Sequence, residues 1–150
     1  MKKRAFTLLE MLVVFTLMGI MFGLVILYSQ VTQVRADLYG QVDEFVSYAR
    51  LVQSDAASGK DNLPQGIHLG IGSYTLFSGA VYDPSDTSNT LLELPPTLEI
   101  QNITLNGAGS DILFSPPYGE TDTYGSFNFA SLSTGKTVLI TISANGTIDY

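Results

Sequence analysis

The chain has no cysteine, a single histidine and few cations, and each shortage excludes something. Without cysteine there is no disulfide and no thiolate metal site. A domain exported in that condition is held by burial and sheet pairing alone. With His68 as the lone histidine, no Ser/His/Asp or Cys/His set can be assembled with any specificity. Seven Lys and Arg stand against fourteen Asp and Glu, and three of the seven are Lys2, Lys3 and Arg4. The acidic remainder repels phosphate backbones and anionic lipid head groups, which argues against unaided nucleic-acid binding. Phosphate-cradling loops, paired cysteines and basic aromatic stripes are also missing. These shortages predict neither an enzyme nor a protein with a cofactor or resident metal.

A further shortage is positive information. From Met11 to Tyr28 there is no charge at all, whereas from Ser29 onward the chain is polar, acidic and rich in Gly, Ser, Thr and Asn. The mean hydropathy of +0.24 averages a membrane segment with a soluble head and describes neither. The uncharged run would span roughly 27 Å as a helix, close to the hydrocarbon core of a bilayer. Lys2, Lys3 and Arg4 precede it, so the positive-inside rule keeps the N-terminus cytoplasmic and places the C-terminal head outside in a single-pass topology. A secretory signal peptide would have a shorter apolar core and a small-residue cleavage site after it. Here only Val34-Arg35-Ala36 imitates such a site. A plain signal anchor remains a competing reading. Glu10 separates the readings, because an acidic residue in a membrane segment costs up to about 2.5–3.5 kcal/mol mid-span and calls for a partner.

Lys2-Lys3-Arg4-Ala5-Phe6-Thr7-Leu8-Leu9-Glu10, followed by the apolar run, resembles the class III signal of type IV pilins and type II secretion pseudopilins. The resemblance covers about 25 residues, one sixth of the chain. It implies a leader of residues 1–5, cut by a prepilin peptidase between Ala5 and Phe6, with N-methylation of the new Phe6 terminus. It implies that Glu10 is the partner for the Phe amine of a neighbouring subunit. A buried carboxylate and a buried ammonium each need an opposite charge, and one subunit can supply it to the next. The family usually has Gly before the cut, where this chain has Ala5, the nearest substitute in size. The implied partners are other pilin or pseudopilin subunits, the prepilin peptidase and the cytoplasmic membrane. The implied destination is an extracellular or periplasmic filament.

Beyond Tyr28 a helical period continues. Val31, Val34, Leu38, Val42, Phe45, Ala49, Val52 and Ala56 are spaced by threes and fours, which makes one stripe. There is no proline before Pro64, so nothing predicts a kink. Ser58-Gly59 reads as the stop. The expected helix runs from about Phe6 to Ser58, with residues 6–28 as the membrane or filament-core part and 29–59 as an amphipathic spine. The stripe predicts packing against a following sheet; a coiled coil is the alternative use. Gly19 and Gly23 have the spacing of close helix approach in lipid, but Gly is common in such helices.

Residues 60–150 read as a β-rich head, giving an α+β, pilin-like fold: one long N-terminal helix packed on a C-terminal antiparallel sheet. Strands are expected over Gly66–Ile71, Tyr74–Phe77, Thr97–Leu105, Ile112–Ser115, Gly125–Leu132, Thr137–Ser143 and Thr147–Asp149, with the last three as a meander. Asn145-Gly146 is the strongest hairpin signal. The Ala49-Arg50 region and the closing meander resemble minor pseudopilins of the H type. His68 is expected to face solvent from a strand. Asp83, Asp86 and Asn89 offer oxygens in a polar loop, as a calcium site or simply a solvated turn. Asn102-Ile103-Thr104 and Asn145-Gly146-Thr147 fit a glycosylation pattern that chance supplies in a Thr-rich chain. The leading function is a structural filament subunit. The alternatives are a tip-located subunit binding DNA, a surface or an exported protein, and an unprocessed bitopic anchor.

Overall fold

In a computed structural model of the chain, residues 7–107 and 109–150 are described; over 26–35 the description is limited to the helical backbone. Ala5 and Phe6, and the rest of the expected leader, lie outside the described residues. One helix, α1 (Leu8–Ala57), is followed by a 3-10 turn at Lys60–Asn62 and eight strands. The strands are β1 (Gln65–Leu69), β2 (Ser73–Ser78), β3 (Thr90–Glu93), β4 (Leu98–Leu105), β5 (Asp111–Phe114), β6 (Gly125–Ser131), β7 (Thr137–Ile142) and β8 (Ile148–Asp149). This is the α+β, pilin-like order of one long N-terminal helix and antiparallel sheets. The chain divides into two compact units, Met1–Ala36 and Asp37–Tyr150.

In the first unit the described side chains from Leu8 to Val25 are all exposed. In the second unit the expected stripe is the buried face of the helix. Val42, Phe45, Ala49 and Ala56 have no exposed surface, and Leu38, Val46 and Val52 are nearly as deep. Phe45 is central: its ring lies 5.1 Å from Tyr74 on β2, 5.3 Å from Phe127 and 5.5 Å from Phe129 on β6. Ala49 and Ala56 have no bulk to hold strands away, so the helix sits close to what covers it. From Leu38 to Ala56 the stripe is thus consumed within the head rather than in a coiled coil, while the side chains of Val31 and Val34 lie outside the described residues. Helix α1 ends where expected: Gly59 is left-handed (φ 71) and its N–H donates to the Ala56 carbonyl at 3.0 Å.

The head strands form two four-stranded antiparallel sheets where a single sheet was expected. Their orders are β3-β2-β1-β5 and β4-β6-β7-β8. The closing meander β6-β7-β8 is present, and the Asn145-Gly146 turn joins β7 to β8 with Gly146 at φ 82. Asn145 works within that turn, its Oδ1 accepting from Ser143 Oγ at 2.6 Å and Thr147 N at 3.1 Å. Strand β3 was not foreseen. Its segment, Thr90-Leu91-Leu92-Glu93, has no apolar-polar alternation, because it lies at a sheet edge and takes its conformation from β2. Strand β4 is interrupted by a bulge between Gln101 and Thr104, with Asn102 at φ 53. Facing the bulge, Gly125 leaves room for the Thr104 carbonyl, which any Cβ would strike.

Candidate processing and assembly site

The helix begins with a threonine cap. Thr7 precedes the first helical residue, and its Oγ1 accepts a hydrogen bond from Glu10 N at 3.3 Å. Its carbonyl accepts from Glu10 N at 3.1 Å and Met11 N at 3.2 Å. Thr7 satisfies donors that a helix start leaves orphaned, and the Glu10 charge three residues later suits the positive end of the helix dipole. The sequence reading treated Glu10 only as an intersubunit partner and passed over Thr7. The pattern of Thr, two residues, Glu and then an apolar run was the available signal.

From this cap the helix presents an unbroken apolar surface. Leu8–Val25 has a mean hydropathy of 2.4, none of it is buried, and by length and composition it can cross a membrane. Its hydroxyl is satisfied internally, Thr16 Oγ1 donating to the Leu12 carbonyl at 2.7 Å. That bond matters in lipid, where no water would take the hydroxyl proton. A Cβ placed on Gly19 or Gly23 would meet nothing. Glu10 is the one charged residue on this stretch and is itself exposed. Among the described residues, no hydrogen bond or ion pair engages its carboxylate.

The comparison with protein families decides what this N-terminus is. Residues 1–26 match the family described as "Prokaryotic N-terminal methylation motif". The chain carries the type IV pilin and pseudopilin signal. Neither the comparison with curated proteins nor that with solved structures found a match. The pilin signal implies processing by a prepilin peptidase and assembly with other pilin subunits, and it accords with membrane anchoring through the apolar helix. It is a signal of structural subunits.

The other candidates fall in the head and do not converge with the N-terminal signal. His68 does not simply face solvent: its ring stacks on Tyr82 at 4.0 Å and 8°, and its Nδ1 lies 2.6 Å from Asp111 Oδ1. The loop of Asp83, Asp86 and Asn89 is tied to itself. Asp83 Oδ1 accepts from Ser85 Oγ at 2.5 Å and Ser85 N at 2.9 Å, while Asp86 Oδ1 accepts from Ser88 N and Oγ, both at 2.8 Å. Asn89 Nδ2 donates to the Asp83 carbonyl at 2.7 Å. Those bonds favour the ionised forms and hold both carboxyl groups below their usual range, the Ser85 hydroxyl leading for Asp83 and the Ser88 backbone N–H for Asp86. Among the described residues no three His, Cys, Asp or Glu side chains gather to hold a metal. Asn102 and Thr104 belong to the exposed bulge of β4. The C-terminal residue Tyr150 donates its hydroxyl to Asp43 Oδ1 on the helix at 2.5 Å.

Proposed function

We propose that the chain is a filament subunit, a minor pilin or pseudopilin, cut between Ala5 and Phe6 and N-methylated on Phe6. The observation that carries this reading is the methylation motif over residues 1–26 joined to an exposed helical surface that carries no charge from Met11 to Val25. Lys2, Lys3 and Arg4 hold the leader in the cytoplasm, residues 6–28 anchor the precursor, residues 29–59 continue as the spine, and 60–150 form the head outside. After cleavage, Glu10 meets the Phe6 ammonium of a neighbouring copy as subunits repeat head to tail. Such a contact is heterologous and extends without closing. Glu10 suits the positive end of its own helix dipole, and its carboxylate has acceptor positions left for a neighbour's ammonium.

Mass spectrometry of the protein from its native host tests the reading. The expected mature chain begins with N-methylated Phe6. An intact Met1, or a cut elsewhere, would reduce the chain to an unprocessed bitopic anchor. Replacement Glu10→Leu separates insertion from assembly: the variant is expected to reach the membrane in normal amount yet fail to enter filaments.

A further inference from the structure

Two four-stranded sheets have four edge strands, and these are not equally open. On β5 the outward Leu113 N–H donates to Thr123 Oγ1 at 2.8 Å, and just past the strand Ser115 N donates to the Glu120 carbonyl at 2.9 Å. On β4 the Ile100 N–H donates to the Ile71 carbonyl at 2.7 Å, and the bulge breaks the remaining ladder. Strand β8 is two residues long and covers only Thr141 and Ile142, which leaves the outward backbone groups of Thr137 and Leu139 on β7 bare; Tyr150, just after β8, is tied to Asp43. Strand β3 is bare along its whole outer side. Leu94 N donates to the Gly72 carbonyl at 2.9 Å, which fixes the phase of the β2–β3 ladder. Antiparallel alternation then turns the N–H and C=O of Thr90 and Leu92 toward β2, and those of Leu91 and Glu93 outward. Among the described residues nothing bonds to these four outward groups.

The edge ends beside a cavity. A half-open hollow of about 220 Å³ lies at the Thr90 end, lined in part by Thr90, Ser88, Leu51, Asp55, Lys60 and Gln65. The Asp55–Lys60 pair at 2.7 Å and the buried Gln65 amide give this space a polar wall, while Leu51 gives it an apolar one. An open backbone edge with a side-chain cavity at one end is the arrangement by which a sheet takes up an added strand. The backbone supplies affinity and the cavity supplies specificity. The charge balance selects the occupant. Residues 37–150 hold thirteen Asp and Glu against three Lys and Arg, so a second copy of this chain is repelled. Glu93, exposed on the open edge, favours a cation in the position opposite it.

We propose that β3 is a docking edge for an extended, basic segment of a different protein, which adds as a fifth strand to the first sheet and seats one side chain in the cavity beside Thr90. Pro95 and Pro96, without N–H donors, limit the ladder to about four or five residues. This inference is independent of how the N-terminus is processed.

The test uses the full chain in non-ionic micelles and follows amide hydrogen exchange on β3. The probe is the capped peptide Lys-Val-Lys-Val-Lys-Thr. Without it, the Leu91 and Glu93 amides should exchange fast and the Leu92 amide slowly. With it, Leu91 and Glu93 should slow at least tenfold. The peptide with Glu in place of Lys, and the peptide N-methylated on alternate amides, should have no effect. Replacement Leu91→Pro removes an outward N–H without touching the β2 ladder, so this variant should keep Leu92 protected and lose the peptide's effect on Glu93. The proposal is overturned if Leu91 and Glu93 are already protected in dilute protein, which would mean a closed edge. It is equally overturned if protection rises with protein concentration alone, which would mean a second copy, if the Glu peptide works as well, or if no peptide slows exchange.

Discussion

Two stretches of the same helix use similar residues to opposite ends. In 8–25, Phe15 and Phe22 are 66% and 67% exposed; in 37–57, Phe45 is fully buried among three other aromatic rings. The second stretch confines its apolar residues to one stripe, and the chain itself supplies the sheets that cover it. The first is apolar on every side beyond Glu10, and among the described residues nothing in its own unit covers it. An apolar surface of that kind needs lipid or other helices. The difference teaches that burial in this protein is divided between what the chain provides and what its surroundings must provide.

The sharpest way to break that comparison is to truncate the same residue type in each stretch. Phe45→Ala should destabilise the head by about 3–5 kcal/mol, read from urea unfolding in micelles. Phe15→Ala should leave that unfolding transition unchanged. Equal effects from the two would sink the division drawn above. Glycine gives the next largest contrast. Gly125→Ala forces a Cβ into the Thr104 carbonyl across the bulge, and by analogy with overpacking should cost about 1–3 kcal/mol. Gly19→Ala meets open space, and by intrinsic preference should strengthen the helix by about 0.5–1 kcal/mol, seen as higher helicity by circular dichroism. At the helix start, Thr7→Ala should lose about 1 kcal/mol of local helix stability and speed exchange of the Glu10 amide, with the head unaffected.

The smallest effects are those of pH, and they belong to the head. Asp83 and Asp86 have lowered pKa values in the folded chain, so their contribution is present above their ordinary 3.8 and is lost as pH falls through the folded values. The Ser85 and Ser88 amides should therefore exchange faster in acid, with little change in global stability. Lys60 is raised above 10.5 by its hydrogen bond and charge interaction with Asp55, and Tyr74 above 10.0 by burial. In both cases the folded chain keeps protons that the unfolded chain has lost. Head stability should thus decline as pH rises beyond about 10. A transition that is flat through that range would contradict it.

Much of this was legible residue by residue. Spacing by threes and fours named Leu38, Val42, Phe45, Ala49, Val52 and Ala56 as the buried face, because a helix converts sequence period directly into a side. Gly59 and Asn145-Gly146 announced a stop and a turn, because left-handed backbone restricts which residues can occupy it. Strand β3 escaped because an edge strand with one bare side carries no alternation to read. The split into two sheets escaped because strand pairing joins residues far apart in the chain, as when β5 pairs with β1 across Gln65 and Phe114. The pairing of His68 with Asp111 depended on the same register and was likewise invisible. The N-terminal site was half seen: Glu10 stood out by its charge, while Thr7 was passed over although its pattern was in plain view.

By itself the sequence determined the processing motif, the uncharged span, the helix with its buried stripe, and the turns, since each follows from local residue order or local backbone preference. Only the tertiary structure decided which strands became neighbours, which carbonyl faces Gly125, how the loop of Asp83 and Asp86 satisfies itself, and which sheet edges are left open. Those outcomes depend on register between distant segments, and a one-residue slip in register would change all of them while leaving every local signal as it is.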